Sequence, residues 1–232
     1  MDILKKIYDH YRDALPPIKK IVCGVKYFVV ENSDGNIGLA ANLEEPSAVE
    51  LDELQEPNFD SYAHRVAVNA WINSFVNYQH IDLPENDIFK QIDFKPYQHI
   101  VMVGLFESLA AKFRKENIPL TIFDIHKQSS YLTPISKEYE TIYQADIVII
   151  SSTTLANNTL SNITSSKGDA TKILMLGPST PLCPLLFEIA NAQFLFGSIV
   201  LDNTNIFDLA SKGGGTKQFL PYLKKVYYKP TK

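Results

Sequence analysis

A short loop in the second half of the chain combines hydroxyl side chains with free backbone amides. The segment Gly177-Pro-Ser-Thr-Pro181 follows the apolar run 173–176, which is typical of a buried strand. Because open α/β sheets bind ligands at the carboxyl ends of their strands, Gly177, Ser179 and Thr180 are candidate ligand-binding residues. Helix capping by Ser179 or Thr180 is the structural alternative.

Small or polar residues also end the other strands that the second half predicts. Apolar runs alternate regularly with helical patterns from His99 onward, which is typical of a parallel sheet covered by helices. The predicted strands are residues 100–104, 120–124, 145–150, 173–176 and 194–201, and the predicted helices lie near 107–117, 135–143, 155–166, 184–191 and 205–212. Parallel strand ends meet at one rim, so a shared crevice is expected there. Right-handed crossovers on both faces predict the strand order 3-2-1-4-5.

Glu107 and Asp124 are the acidic candidates at this rim. Asp124 follows Gly104 by 20 residues, close to the offset at which dinucleotide folds place an acid on a ribose hydroxyl. The turn after Gly104 lacks the Gly-x-Gly-x-x-Gly pattern, so bound NAD is not expected, whereas a mononucleoside stays open as a ligand. Glu107 is most simply an acid in the first turn of a helix.

Two further segments are richer in polar or flexible residues than a helix end requires. Residues 151–160 carry mostly hydroxyl and amide side chains, of which a cap such as Thr154 uses one or two. The surplus indicates ligand hydrogen bonding, with Thr154, Asn157 and Thr159 as candidates. Gly213, Gly214, Gly215 and Thr216 follow a predicted helix, and three glycines there allow backbone amides to approach an anion or a neighbouring domain.

The first half predicts a small α+β unit. The patterns indicate helices over residues 2–14 and 64–76, a hairpin of strands 21–30 and 37–41, an exposed loop over 42–61 and a short helix starting at 84–87. Asn69, inside the second helix, is expected to be partly buried and therefore to need hydrogen-bond partners. A hinge at 94–98 divides the chain into domains 1–94 and 95–232.

Composition narrows the classes of function. The chain has 232 residues, of which 45% are hydrophobic and 21% charged, enough for a packed core. A formal charge of -4 with scattered basic residues argues against nucleic-acid binding. No secretory signal and no membrane span is present, so we expect a cytoplasmic protein without a membrane partner. The basic tail from Lys224 to Lys232 predicts a frayed, solvated end.

Cysteine and histidine spacing does not predict a metal site. Cys23 and Cys183 lie in different halves and are expected to be reduced and structural. The histidines show no zinc or di-iron spacing; they are His10, His64, His80, His99 and His126. No nucleophile elbow and no recognisable cysteine–histidine pair supports nucleophilic catalysis.

Several segments resemble the family named "putative heavy-metal chelation", long described as a domain of unknown function. The matching segments are residues 101–106, 122–124, 145–150, 153–160, 176–182 and 212–216, with Gly-Pro-Ser-Thr-Pro at their centre. The resemblance covers roughly residues 95–228 and extends more weakly to 24–27, 37–40 and 66–70. The chain departs from the family at Asp124, where Glu is more usual, and at Asn158, where Gly is common.

The resemblance implies an α/β fold with a ligand site between two domains. Residues 1–94 are expected to form an α+β domain similar to the enolase N-terminal fold, and 95–232 a Rossmann-like parallel sheet with helices on both faces. Within the cleft, Asn69 is expected to face the polar residues of the second domain. The residues that the resemblance nominates are Asn69, Gly104, Asn157, Thr159, Gly177, Ser179, Thr180 and the segment 213–216.

Three hypotheses about function follow. The first is a protein that binds a metal, a metal complex or a metallophore-like small molecule in the cleft through oxygen-rich groups, which suit a hard cation or an oxyanion. The second is an enzyme acting on a nucleoside-like or carboxylated molecule, with Asp124 on a ribose and Glu107 as acid or base. The third is a scaffold protein whose cleft is only the interface between its domains. Under the first hypothesis, the expected cofactor is a metal ion or metal complex, and the expected partner is a small molecule or metal ligand. The identity of the metal, the substrate and the formation of a homo-oligomer stay open at this point.

Overall fold

The computed structural model describes residues 1–79, 83–85, 87–203 and 205–230. These residues form two sheets flanked by helices: a three-stranded antiparallel sheet from the first half and a six-stranded, mostly parallel sheet from the second. The predicted α/β fold class is confirmed. The division into domains 1–94 and 95–232 stays a prediction, and one buried apolar cluster contains residues of both halves.

The first sheet contains β1 (Ile18–Cys23), β2 (Tyr27–Asn32) and β3 (Ile37–Ala41). Strand β2 pairs antiparallel with both neighbours. The single strand predicted over residues 21–30 is wrong, because the chain reverses after Cys23 and Gly24 N donates to Tyr27 O at 3.1 Å. A Cβ at Gly24 would lie 2.4 Å from Ala210 O, so the turn needs glycine.

Helices α1 (Ile3–Tyr11) and α2 (Tyr62–Val76) pack on each other, and α2 lies on β2 and β3. Each helix begins at a side-chain cap, from Asp2 and Ser61 respectively. Helix α2 approaches β3 closely at Gly38, where a Cβ would lie 1.8 Å from Ala70 O. Only glycine permits this contact between helix and strand.

Arg65 of α2 carries a buried charge, since the residue is only 4% exposed. Its Nη2 donates to Asp2 Oδ1 at 3.1 Å and to Leu155 O at 2.7 Å, and its Nε donates to Ala156 O at 2.6 Å. A buried guanidinium needs such pairing to offset its lost hydration. Arg65 therefore ties the start of α1 to the second half of the chain.

The second sheet contains six strands: β4 (Ile100–Val103), β5 (Thr121–Phe123), β6 (Ile147–Ser151), β7 (Lys172–Leu176), β8 (Ala192–Val200) and β9 (Leu223–Tyr228). Their order is β5-β4-β6-β7-β8-β9. The five predicted strands thus lie in the order 2-1-3-4-5, and the predicted order 3-2-1-4-5 is wrong. The reason is that β6 pairs with β4 rather than with β5, so every later strand adds on the far side of β4. Doubly wound sheets use this order as well.

Strand β9 overturns the prediction of a frayed basic tail. Residues 223–228 pair antiparallel with β8, and Val226 and Tyr227 are buried. The two lysines on this strand hide its β pattern in the sequence, although the apolar residues that follow them pack into the sheet. Residues 231–232 lie outside the described ranges.

Helices cover both faces of the second sheet. Phe113 and Met102 belong to the buried apolar cluster on one face, and Ile163 and Ile150 belong to the cluster on the other. The helices are α3 (Ile88–Gln91), α4 (Glu107–Lys115), α5 (Glu138–Tyr143), α6 (Thr153–Ala156), α7 (Leu160–Ser165), α8 (Leu185–Ile189), α9 (Ile206–Ser211) and α10 (Thr216–Phe219). The single helix predicted over 155–166 is two helices, because Asn158 adopts a φ of 59° between them. Across the described residues, no helix has the length and apolar character needed to span a membrane.

The ion pair at the start of α1 predicts an acid-dependent stability. Burial raises the pKa of the Asp2 carboxyl, but hydrogen bonds from Arg65 and Lys5 N–H and the Arg65 charge outweigh it, so the pKa lies below its ordinary 3.8. Because the folded pKa is lowered, the stabilisation is present above about pH 5 and is lost as the pH falls through the folded pKa. We expect Asp2→Asn to destabilise the fold at pH 7 by about 1–3 kcal/mol and to flatten the acid side of its stability profile.

Urea unfolding at a series of pH values measures both effects. Asp9→Asn is the matched control, because Asp9 forms an exposed pair with Lys5 on the same helix and such pairs contribute little. Equal effects of the two substitutions would contradict the role given to Asp2.

Candidate functional site

A cavity of about 590 Å3 lies at the carboxyl ends of the parallel strands. Its wall includes residues at the carboxyl ends of β4, β5, β6 and β7, residues from the middle of β8, and Tyr27 and Ala41 of the first sheet. Phe196 lies in register with Leu176 at the end of β7, so the middle of β8 reaches the same rim. The volume falls within the range of small-molecule sites, which is about 300–1,000 Å3.

The cavity brings together some of the predicted site residues. Those that line it are Gly104, Asp124, Thr154, Asn157, Thr159, Gly177, Ser179 and Thr216. Those that do not line it are Asn69, Glu107, Thr180, Gly213, Gly214 and Gly215. The role of each residue in binding stays a prediction.

Gly104 and Gly177 have a structural reason to be glycine. Both adopt positive φ, 89° and 138° respectively. A Cβ at Gly104 would lie 2.6 Å from Ser151 Cβ, and one at Gly177 would lie 2.7 Å from Ser152 Oγ. These glycines let neighbouring strand ends pack side by side, which explains them without a ligand.

Asp124 uses both carboxylate oxygens within its own turn. Oδ2 accepts from Leu105 N at 2.7 Å, while Oδ1 accepts from His126 N at 2.9 Å and Lys127 N at 2.8 Å. Burial raises the pKa of Asp124, but these hydrogen bonds and the Lys127 charge outweigh it and lower the pKa overall. Asp124 is thus an ionised turn-forming residue whose oxygens are already occupied.

The hydroxyl-rich segment between β6 and α7 satisfies many of its own polar groups. Thr154 Oγ1 donates to Ser151 O at 2.6 Å. Asn157 Oδ1 accepts from Thr159 N at 3.2 Å and from Thr159 Oγ1 at 2.7 Å. Within the described residues, Asn157 Nδ2 has no hydrogen-bond partner, and Asn157 is one of the residues that line the cavity.

Two asparagines of α2, Asn69 and Asn73, and its C-cap residue Asn77 form a stripe at four-residue spacing. Asn73 Nδ2 donates to Leu39 O at 2.9 Å. Asn77 Nδ2 donates to Thr180 O and Ser198 O, each at 3.2 Å. Asn69 is fully buried, and its amide has no partner within the described chain. Asn69 does not line the cavity, and its expected role in facing a ligand stays a prediction.

Tyr27 and Thr216 join the first sheet to the far end of the chain. Tyr27 OH and Thr216 Oγ1 lie 2.7 Å apart, and Ala41 N donates to Ser179 Oγ at 2.7 Å. Burial raises the pKa of Tyr27, so its hydroxyl stays protonated. Both pairs lie on the cavity wall.

The sequence interpretation missed several residues on this wall. Four residues line the cavity without having been site candidates: Tyr27, Glu138, Ser198 and Lys225. Burial raises the pKa of the Glu138 carboxyl. Asn77 donates to backbone oxygens of Thr180 and Ser198, and the four-residue spacing of Asn69, Asn73 and Asn77 is the signal that could have found it.

The donor set does not fit a bare heavy-metal ion. Among the residues that the structure describes, no group of three or more His, Cys, Asp or Glu lies together. Cys183 is buried, and burial raises its pKa to about 12, which disfavours the thiolate that soft metals prefer. Burial raises the pKa of Cys23 as well. His80 lies outside the described residues.

The fold and the cavity define a two-sheet α/β protein with room for a small molecule at the ends of its parallel strands. The sequence matches the model of the DUF364 family, described as "Putative heavy-metal chelation", over residues 87–229. The chain therefore belongs to this family, and the resemblance found in the sequence is confirmed.

Two solved structures of the same family are similar to this chain along nearly its whole length. A DUF364 protein with unknown function from Pyrococcus horikoshii has a TM-score of 0.84 and 18% identity, covering 98% of this chain and 99% of that one. A second, from Desulfitobacterium hafniense DCB-2, has a TM-score of 0.78 and 21% identity, covering 98% of each chain. At these identities the likeness shows the fold alone. No curated protein matches the sequence.

The steric role of Gly104 is testable. Gly104→Ala should destabilise the fold by about 1–3 kcal/mol. Alanine disfavours the positive φ at this position, and its Cβ would clash with the Ser151 side chain. Adding Ser151→Gly removes the clash but not the φ penalty, so the double variant should regain part of the lost stability. Urea denaturation of both variants and of Ser151→Gly alone measures the coupling. A stable Gly104→Ala protein would contradict this assignment.

Proposed function

We propose that the cavity binds a small organic molecule, and that a metal enters only as a complex with such a molecule. One observation carries the proposal: a cavity of about 590 Å3 whose described surroundings lack a cluster of three metal-ligating side chains. A metallophore-like ligand supplies its own donor atoms, so the protein needs to recognise only the outside of the complex.

The composition of the wall supports this ligand class. Leu105, Phe106 and Phe196 supply apolar surface, while Asn157 and Ser198 supply polar groups. Sites for organic molecules combine apolar contact with a few placed hydrogen-bonding groups. The family description refers to chelation, and a complex reconciles that description with the side chains present.

The proposal includes four features expected from the sequence: a Rossmann-like second half, a site between two domains, a cytoplasmic location and a small-molecule partner. The parallel order 2-1-3-4-5 is that of a doubly wound sheet, which supports a Rossmann-like second half. The enzyme hypothesis has less support. The carboxylate oxygens of Asp124 already accept backbone hydrogen bonds. Glu107 does not line the cavity, and it accepts a hydrogen bond from Tyr131 OH at 2.7 Å.

The proposal predicts that complexes bind and free ions do not. We expect Fe3+–citrate or Ni2+–histidine to bind saturably, whereas Zn2+ and Cd2+ alone should give no stoichiometric binding. Isothermal titration calorimetry measures affinity, and elemental analysis after gel filtration measures the retained metal. Stoichiometric retention of Cd2+ alone, or no binding of either complex, would contradict the proposal.

Asn157→Asp separates binding from folding. Aspartate keeps the oxygen that Thr159 uses and removes the Nδ2 donor, so the turn should survive. We expect Fe3+–citrate to bind about tenfold more weakly, through the lost donor and the added negative charge, with a melting temperature within about 2 °C of the wild type.

Asn162→Asp is the matched control, since Asn162 is exposed on α7 and does not line the cavity. It changes the charge equally but should leave affinity unchanged. Equal weakening by both substitutions would mean that Asn157 has no specific contact with the complex.

A further inference from the structure

The antiparallel pairing of β8 and β9 places a hydroxyl and an ammonium side by side. Ser198 lies directly opposite Lys225 in the register. Side chains opposite each other in an antiparallel pair share one face of the sheet, with Cβ atoms about 4.5–5.5 Å apart. Both residues line the cavity. The shared face is therefore the cavity wall.

Ser198 is a buried hydrogen-bonding group without a protein partner. The residue is 8% exposed, and its Oγ makes no hydrogen bond within the described chain. Its backbone is held in place, because Ser198 O accepts from Asn77 Nδ2 at 3.2 Å. A buried hydroxyl without a partner destabilises a fold, so a ligand atom that bonds it gains an interaction that the free protein lacks.

Lys225 differs from the other lysines on the wall. Lys127 Nζ donates to Leu105 O at 2.8 Å, and Lys112 Nζ lies 4.1 Å from the centre of the Phe89 ring. Lys225 is exposed and makes no hydrogen bond, ion pair or ring contact within the described residues. Its ammonium is therefore free to meet a charge on a ligand.

We propose that Ser198 and Lys225 form a subsite for an anionic oxygen of the ligand, from a carboxylate or a phosphate. A hydroxyl donor beside an ammonium complements an oxyanion, since hydrogen bonds to charged groups are the stronger ones. This inference rests on the proposed function and adds to it the charge of the molecule that the cavity accepts.

The test uses two metal-free probes, citrate and inorganic phosphate, titrated at constant ionic strength. We expect at least one to bind the wild type saturably, and Lys225→Gln and Ser198→Ala each to weaken it about tenfold or more. Lys224→Gln is the matched control: Lys224 is the neighbour on β9, pairs with Ile199 and does not line the cavity. It should change affinity by less than about twofold.

Thermal unfolding tests whether Ser198→Ala acts on ligand binding or on the stability of the fold. The substitution removes an unpartnered hydroxyl, so the melting temperature of the ligand-free protein should stay equal or rise. Ser74→Ala is the comparison, because Ser74 Oγ is buried and donates to Trp71 O at 2.7 Å. That substitution should lower the melting temperature without changing the affinity for either anion.

The outcomes separate this subsite from the proposed function. Binding of citrate alone identifies a carboxylate, and binding of phosphate alone identifies a phosphate. No saturable binding of either anion, or equal weakening by Lys225→Gln and Lys224→Gln, would overturn the subsite even if metal complexes bind. If citrate binds through these residues equally well with and without Fe3+, the subsite stands and the role in metal binding fails.

Discussion

Helix α2 can lie against β3 only because residue 38 has no side chain. A Cβ at Gly38 would lie 1.8 Å from Ala70 O, inside the contact distance of any two atoms. At this close approach, Asn73 reaches the backbone of β3, and Asn77 reaches the backbone of β8 and of the loop that follows β7. The position of the first sheet relative to the cavity depends on this contact.

Polar contacts of α2 restrict the rotation and position of the helix more narrowly than apolar contacts would. Arg65 and Asn77 each bond backbone groups of the second half, so the helix has one rotation and one depth that satisfy both. Buried polar groups carry a cost when unpaired, and Asn69 shows it, because its amide is buried without a partner in the described chain.

The sequence predicted the elements better than their arrangement. Alternating apolar and helical patterns gave the α/β class and most strands, since burial on both faces leaves a local signal. Strand order left no such signal, because either side of β4 satisfies the same pattern and the same handedness. The lysines of β9 masked its buried residues. At the site, hydroxyl residues at strand ends were found, but whether each one bonds its own backbone, as Thr154 does, depends on turn geometry. Tyr27 and Lys225 reach the wall through tertiary contacts across the chain.

The pairing of Tyr27 with Thr216 spans 189 residues of sequence, and that of Ala41 with Ser179 spans 138. Contacts this distant require a large loss of chain entropy before they contribute, and proteins rich in them fold slowly. We expect the parallel strands to assemble first and the first sheet to dock on them late. Until it docks, the ring of Phe219 lacks the cover that Tyr27 gives it in the folded protein. A chain whose first sheet has not docked therefore exposes apolar surface, and partly folded states of this kind are prone to self-association.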